Sequence, residues 1–127
     1  CSFEKGEDEW GYQIVQCETI PYPEEWKLIL AGLPEKTAVD LVEYDISYGI
    51  FLAEAVNGFL DKSGLEPELI ASHGHTVFHA PAKGYTFQLG HGPTIAQFTG
   101  LTTINDFRIK DIQLGGQGAP LVPIGDK

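Results

Sequence analysis

The sequence predicts an α/β fold in which a mixed sheet is flanked by helices. A β-rich hairpin pattern opens the chain, two helical patterns follow, and the second half alternates short β-rich runs with a short helix. This order is typical of α/β domains that contain both antiparallel and parallel strands. The 127 residues fit a single partial domain. We divide it into an N-terminal hairpin (1–20), a helical scaffold (23–64) and a second half (69–123).

The hairpin prediction rests on two β-rich runs around a charged turn. Residues 1–4 and 12–20 favour strands, and a stretch of Lys, Glu, Asp and Gly separates them. Cys1 and Cys17 could face each other across this hairpin, but the chain is not a cysteine-dense scaffold. We therefore expect two free thiols.

The helical scaffold is predicted from capping residues and apolar spacing. Residues 24–33 favour a short helix that follows Pro23. Residues 37–62 favour a long helix, because Thr37 with Asp40 three positions later matches a helix N-terminus. One apolar stripe recurs at helical spacing: Val39, Val42, Ile46, Ile50, Ala53, Val56 and Leu60. The aromatic residues of this helix are expected to pack in the core: Tyr44, Tyr48, Phe51 and Phe59.

The second half is punctuated by glycine and proline. β-rich runs occur at residues 69–72, 76–78, 85–89 and 101–105. Residues 93–98 favour a short helix that ends at Gly100, a position suited to a left-handed backbone. Residues 109–127 are expected to form loop.

Charge and hydropathy narrow the class of partner. The net charge of −10 argues against nucleic acid, because phosphate contacts need Lys and Arg. Residues 1–70 hold 15 acids and 4 bases, whereas residues 71–127 hold 3 acids and 4 bases, so an anionic ligand would approach the second half. No apolar run reaches the roughly 20 residues that a membrane-spanning helix needs.

The chain starts at Cys1 and contains no Met, so we expect it to be part of a longer protein.

The histidines of the second half raise a metal-site hypothesis. His73, His75 and His79 have a spacing that could bind zinc, and His91 or Asp106 could complete the set. On this hypothesis the chain is a metal-dependent hydrolase domain. The alternatives are histidines that hydrogen-bond the backbone or a polar ligand, and a binding module without chemistry.

Three other patterns carry weaker hypotheses. Ser72 lacks the Gly-x-Ser-x-Gly frame of a hydrolase nucleophile. Residues 115–118 form a Gly-rich turn without the Lys-Ser/Thr end of a phosphate loop, although a ligand could approach its bare backbone closely. Asp106 and Arg108 lie two apart at the end of a predicted strand, so we expect them on one side of it. There they could bind a sugar hydroxyl and a carboxylate, or pair with each other.

Five motifs of the second half together resemble one family. They are His73-Gly74-x-Thr76-Val77-x-His79, Thr86-x-Gln88-Leu89-Gly90, Ile95-Ala96-x-x-Thr99-Gly100, Asp106-Phe107-Arg108-x-x-Asp111-Ile112 and Gly115-Gly116-Gln117-Gly118-Ala119-Pro120-Leu121-Val122-Pro123. With this combination the chain resembles the anhydro-N-acetylmuramic acid kinases, most strongly over residues 69–123. The last motif, following Asp-Phe-Arg, is the most specific of the five.

The resemblance implies a partial actin-like ATPase or sugar-kinase (ribonuclease H-like) domain, with a second, ATP-binding domain in the longer protein. Enzymes of this family are cytoplasmic, bacterial and usually homodimeric. They use ATP and Mg²⁺ to phosphorylate O6 of 1,6-anhydro-N-acetylmuramic acid while water opens the anhydro ring, a step in cell-wall recycling. Motif positions imply a sugar-cleft half with these binding residues: His73, Gly74, His75, Thr76, Gln88, Asp106, Arg108, Gly116 and Gln117.

The chain also departs from the family pattern. His75 and His91 stand where the family usually has Gln and Asp. The family's Gly-Thr-Ser-Leu-Asp-Gly motif would precede Cys1, and its Asp-Thr-Gly-Pro-Gly motif, which contains the catalytic base, would follow Lys127. The resemblance therefore implies that the base and the ATP and Mg²⁺ sites lie outside this chain. Phosphoryl transfer needs those parts, so we expect the chain alone to be inactive.

Overall fold

A computed structural model describes residues 1–7 and 9–118 of the chain. The described residues form six short strands and four α-helices, with 3-10 turns at Leu33–Glu35 and Pro81–Lys83. In chain order the elements are β1 (Ser2–Lys5), β2 (Trp10–Gln13), α1 (Glu24–Gly32), α2 (Ala38–Ser63), β3 (Leu69–Ala71), β4 (His75–Ala80), β5 (Tyr85–Leu89), α3 (Gly92–Thr99), β6 (Thr102–Ile104) and α4 (Arg108–Gln113). The predicted α/β class is confirmed.

The strands pair in three separate two-stranded sheets. β1 and β2 are antiparallel, β3 and β6 are parallel, and β4 and β5 are antiparallel. The prediction of one mixed sheet is therefore wrong for the described residues, although both strand orientations occur. Between β3 and β4 the backbone turns at Gly74, whose φ is +71°. That turn separates the two strands and lets each pair with a different partner.

The N-terminal hairpin is shorter than the sequence predicted. β2 ends at Gln13, and residues 14–20 form no strand. Ile14 and Val15 are exposed, so their β-branched side chains have no packed surface to support a longer strand. The register pairs Ser2 with Gln13, which leaves Cys17 outside the ladder. Both cysteines are exposed free thiols, as expected.

The long helix α2 begins and ends as predicted. The Thr37 hydroxyl accepts a hydrogen bond from the Asp40 N–H at 3.2 Å, and the Asp40 carboxylate accepts one from the Thr37 N–H at 3.0 Å. This reciprocal pair is a capping box, which satisfies two backbone donors at the helix start. At the other end Gly64 has a φ of +67° and closes the last turn.

The apolar stripe of α2 is buried over only part of its length. Val39 and Val42 are 68% and 61% exposed, and Ile46 is exposed as well. The residues that α2 buries fully are Tyr48, Gly49 and Ala53. The predicted stripe therefore lies on one helix, but its N-terminal end is exposed. Helical period indicates which residues share a face, but not whether another element covers that face.

The core lies where α1, α2 and β5 meet. Leu30 and Leu33 pack with Tyr48 of α2 and Leu89 of β5. Around Tyr48 stand the rings of Tyr22, Trp26 and Phe51, with centroids 5.1–6.4 Å from it. The hydroxyls of Tyr22 and Tyr48 share a 2.6 Å hydrogen bond, which satisfies a polar group that burial would otherwise leave without a partner. The aromatics of α2 that contact this cluster are packing residues, as predicted.

The C-terminal elements match the sequence less evenly. α3 is found within one residue of its predicted bounds and ends at Gly100, whose φ is +72°. The expectation of loop from residue 109 onward is wrong at residues 109–113, because Arg108–Gln113 is helical; residues 119–127 lie outside the described residues. This helix of six residues suffices to bury Ile112, which is 4% exposed. An apolar pattern over so few residues is too weak to indicate a helix from the sequence.

No helix in the described part of the chain is both long enough and apolar enough to cross a membrane.

Leu33 tests the core assignment against a matched leucine nearby. Leu33→Ala is expected to lower the free energy of unfolding by roughly 2–5 kcal/mol, because it leaves a cavity in the core. Leu33 is 0% exposed, whereas Leu28 on α1 is 75% exposed. Leu28→Ala should therefore change stability by less than about 0.5 kcal/mol. Urea denaturation of the two variants measures both values, and equal losses would contradict this core.

Candidate functional site

The carboxyl ends of the parallel strands β3 and β6 bring the His73 motif and the Asp106 motif together. The Ser72 N–H donates to the Ile104 carbonyl at 2.8 Å, which continues the ladder past the end of β3. His73 and Asp106 therefore follow the same edge of this sheet. The His73 ring lies edge-on to Phe107 with centroids 6.3 Å apart, and its Nδ1 is 2.9 Å from the Gly74 carbonyl oxygen.

The β4–β5 hairpin places two more predicted residues side by side. Thr76 is directly opposite Gln88, and His75 is opposite Leu89. Side chains opposite each other in an antiparallel pair lie on the same face. The Gln88 amide Nε2 donates to the hydroxyl of Thr86. Its Oε1 is buried and accepts no hydrogen bond from any described residue.

Gly74 is needed for its small size and its backbone conformation. Its φ is +71°, and a Cβ at this position would overlap the carbonyl oxygen of Leu89. A Cβ at Gly90, whose φ is +129°, would lie 3.4 Å from the Gly74 Cα and 3.2 Å from Leu52. The two glycines therefore let the loop before β4 touch the end of β5.

Asp45, which the sequence did not indicate, holds the start of α3. Its Oδ1 accepts a hydrogen bond from the Gly90 N–H at 2.7 Å, and its backbone carbonyl accepts one from the His91 N–H at 3.3 Å. The His91 Nδ1 is 2.7 Å from the Thr94 hydroxyl. The signal that could have indicated Asp45 is its position on the helix. Asp45 lies one helical turn before Gly49, which is buried, and an acid near a buried helix face needs a hydrogen-bond partner.

Asp106 lies near the start of α3 and has an unusual backbone conformation. It is the one residue other than glycine with a positive φ, +54°, among those described. The side chain of the preceding Asn105 packs so closely on Gly92 that a Cβ on that glycine would overlap it. Partial desolvation of its carboxyl raises the pKa of Asp106, although the residue as a whole is exposed, and the negative charge of Asp45 raises it further. A strained acid next to a second acid is typical of functional sites.

Arg108 is not where the sequence placed it. It is the first residue of α4, whereas Asp106 belongs to the preceding loop, so the prediction that both share one side of a strand is wrong. In the described part of the chain Arg108 forms no salt bridge with Asp106. Its Nε is buried and donates to no described residue. The guanidinium therefore has a donor available for a ligand.

The Gly-rich turn at residues 115–118 is bound to α4 by an acid. The Asp111 carbonyl accepts from the Gly116 N–H at 2.9 Å, and the Asp111 carboxylate accepts from the Gly118 N–H at 2.7 Å. A Cβ at Gly116 would overlap that carboxylate, so Gly116 serves this contact. Gln117 is exposed, and the rest of the motif, residues 119–123, lies outside the described residues. The hydrogen bonds that Gly115, Gly116 and Gly118 donate all go to α4.

The histidines have separate partners. The His75 ring packs edge-on against Tyr48, and the His79 Nδ1 is 3.2 Å from the Thr86 hydroxyl, while His73 and His91 make the contacts given above. Across residues 1–7 and 9–118 no group of three or more His, Cys, Asp or Glu side chains could hold a metal ion. The metal-dependent hydrolase hypothesis therefore has no ligand set in this part of the chain.

Comparison with known proteins identifies the family. The family model described as anhydro-N-acetylmuramic acid kinase matches residues 6–127. The chain belongs to this family. An anhydro-N-acetylmuramic acid kinase of Shewanella loihica is 54% identical over 120 residues, which cover 87% of this chain and 32% of that protein. One from Paramagnetospirillum magneticum is 42% identical over 110 residues, covering 84% of this chain and 30% of that protein.

These relatives are much longer than the chain. A third kinase, from Shewanella woodyi, is 50% identical over 102 residues, which cover 76% of this chain and 27% of that protein. The chain thus spans about a third of the length of the curated kinases it matches. The family membership predicted from the five motifs is confirmed.

Removing the charge of Asp106 should stabilise the chain in a pH-dependent way. Because its pKa is raised from 3.8, the folded chain binds this proton more tightly than the unfolded chain, and stability falls as pH rises through the folded pKa. Asp106→Asn should therefore raise the thermal midpoint at about pH 7 and give less of that gain below pH 3.8. Asp61→Asn, which alters an exposed acid of α2, is the control. An equal gain at both pH values would contradict the prediction.

His75 should contribute the opposite pH dependence. Burial lowers the pKa of its imidazole below 6.5, so the unfolded chain binds the proton more tightly and stability is lost as pH falls below 6.5. His75→Gln should flatten this loss in thermal melts between about pH 7.5 and 5.5. His73→Gln, which changes an exposed histidine two residues away, is the control. An unchanged slope in His75→Gln would contradict the lowered pKa of the half-buried His75.

Proposed function

We propose that the longer protein to which this chain belongs is a cytoplasmic sugar kinase of cell-wall recycling. It would use ATP to phosphorylate O6 of anhydro-N-acetylmuramic acid as water opens the 1,6-anhydro ring. We further propose that the chain is a partial actin-like, sugar-kinase domain that supplies one wall of the sugar cleft. The longer protein is expected to be a homodimer. Family membership over residues 6–127 supports the activity.

The observation that carries the assignment of the wall concerns two buried polar atoms. Gln88 Oε1 and Arg108 Nε are the buried side-chain atoms that lack a hydrogen-bond partner within the described residues. An unpaired buried polar atom costs about 1–3 kcal/mol, so it is retained where a ligand can pair with it. One atom is an acceptor and the other a donor, which suits a ligand rich in hydroxyl and carboxylate groups.

Six of the proposed binding residues suit parts of such a sugar. Arg108 could form a bidentate pair with the carboxylate of the muramic acid side chain. Thr76 and Gln88 lie on the same face of the β4–β5 hairpin and could hydrogen-bond hydroxyl or amide groups of the sugar. A neutral His75 could donate to or accept from the sugar, as the Gln of the family pattern would. Asp106 could accept from a hydroxyl, and Gly74 would leave the backbone open.

The Gly-rich turn does not suit the phosphates of ATP. Among the described residues no group of three or more His, Cys, Asp or Glu side chains could hold a metal ion. In the Gly-rich turn, the Asp111 carboxylate already accepts from the Gly118 N–H, so a phosphate would meet a negative charge there. We therefore propose that Gly116 and Gln117 contribute to the sugar side of the cleft. We also propose that ATP binds to the remainder of the longer protein.

A chimera tests the proposal in an intact enzyme. In the Shewanella loihica kinase, which matches this chain over 120 residues, the aligned segment would be replaced by that of this chain. We expect the chimera to consume ATP when anhydro-N-acetylmuramic acid is added. Arg108→Ala should lower kcat/KM for the sugar at least about tenfold, because a charged hydrogen bond is lost. The measurement is a coupled ADP assay.

Lys110→Ala is the matched control, since Lys110 is an exposed base on the same helix. It should leave kcat/KM within about twofold. Equal losses for the two variants would contradict the role of Arg108. A folded chimera without sugar-dependent turnover, beside an active parent kinase, would overturn the proposed activity and favour a binding module. Residues 1–127 alone should show no turnover.

A further inference from the structure

The turn between β5 and α3 connects the proposed binding residues to one another. This β5–α3 turn, defined as residues 90–92, follows Gln88 by two positions and touches Gly74 through Gly90. At its other end Gly92 packs against Asn105, which precedes Asp106. A shift of the turn would therefore move both sides of the wall.

We propose that Asp45 is a positioning residue that fixes the β5–α3 turn and, through it, the loop that contains Asp106. The inference rests on the proposed function, because it assigns Asp45 to the geometry of the same sugar wall. None of the five motifs that identify the family includes Asp45, which lies in the middle of α2.

Two hydrogen bonds from one residue define the backbone of the turn. The Asp45 carboxylate accepts from the Gly90 N–H at 2.7 Å, and the Asp45 carbonyl accepts from the His91 N–H at 3.3 Å. The first bond is charge-assisted, which makes it stronger than a bond between neutral groups. Gly90 has a φ of +129°, a conformation that glycine adopts and other residues rarely do.

Close packing leaves the turn little room to move while Asp45 holds it. A Cβ at Gly49, one helical turn after Asp45, would lie 3.0 Å from the His91 carbonyl oxygen and 3.2 Å from the Thr94 Cβ. The backbone of α2 therefore lies directly against the turn. On the far side the Asn105 side chain lies against Gly92, so the position of the turn is passed on to Asn105 and Asp106.

The carboxylates of Asp45 and Asp106 are also close enough to influence each other. The charge of Asp45 contributes to the raised pKa of Asp106, after burial. The imidazoles of His91 and His73 and the guanidinium of Arg108 belong to the segments adjoining these acids. Asp45→Asn separates the two effects, because it keeps an oxygen acceptor for the Gly90 N–H and removes the charge.

The test measures sugar KM and kcat separately in the chimeric kinase. Asp45→Ala is expected to raise KM for anhydro-N-acetylmuramic acid about tenfold, with kcat and KM for ATP within about twofold, because the sugar wall shifts while the remaining machinery stays intact. Asp45→Asn should restore KM to within about threefold of the unsubstituted chimera, since its side-chain oxygen can accept the same hydrogen bond.

Asp40→Ala is the control on the same helix. Asp40 closes the capping box, so its loss weakens α2 without touching the turn. Its sugar KM should stay unchanged. An equal rise in KM for Asp40→Ala and Asp45→Ala would overturn the proposal, because weakening of the helix would explain both. A KM for Asp45→Asn as high as that for Asp45→Ala would overturn it as well, because the hydrogen bond to Gly90 would then not be the cause.

A second readout on residues 1–127 does not depend on kinase activity. In ¹H–¹⁵N spectra, Asp45→Ala should shift the amide signals of Gly90, His91 and Asn105, whereas Asp40→Ala should not. Unshifted amides in Asp45→Ala would overturn the positioning role even in an active chimera. Shifted amides with an inactive unsubstituted chimera would uphold it and reject the proposed function. If Asp45→Ala does not fold, Asp45→Ser takes its place in both measurements.

Discussion

The packing of α2 against the β5–α3 turn is the contact on which the rest of the structure depends. Tyr48 and Leu89 are 2% and 0% exposed and belong to the core, and the neighbouring residues Gly49 and Gly90 bring two backbones together. In both segments, therefore, a core residue is followed directly by a glycine that packs at the candidate site. Because protein interiors are closely packed, a change in side-chain volume at Tyr48 or Gly49 would displace residues of the candidate site.

The candidate site contains several arrangements that are unfavourable without a ligand. Gln88 and Arg108 have buried polar atoms with no partner among the described residues. Asp106 has a left-handed backbone and a carboxyl whose ionisation is opposed by burial and by Asp45. Such features cost stability, and they accumulate where binding compensates for them. Their concentration in the second half, which carries little net charge, is consistent with an anionic sugar as ligand.

Two histidines give this site its own character within the family pattern. His75 packs on Tyr48 and has a lowered pKa, so it is an uncharged group that can both donate and accept. His91 precedes α3 without capping it through its side chain, and its Nδ1 contacts Thr94 instead. An Asp at the latter position would accept from backbone N–H groups of α3 and add a third acid near Asp45 and Asp106. A histidine at this position avoids that additional repulsion.

The sequence by itself determined the features that arise from a few neighbouring residues. The capping box of α2, the glycine that ends α3 and the motifs that identify the family are of this kind. Only the tertiary structure decided which part of the α2 stripe is buried, how short β2 is, and that Arg108 starts a helix. It also revealed Asp45, whose bond to Gly90 joins residues 45 positions apart. Capping and periodicity act locally, whereas burial and long-range hydrogen bonds depend on which distant segment comes to lie against each residue.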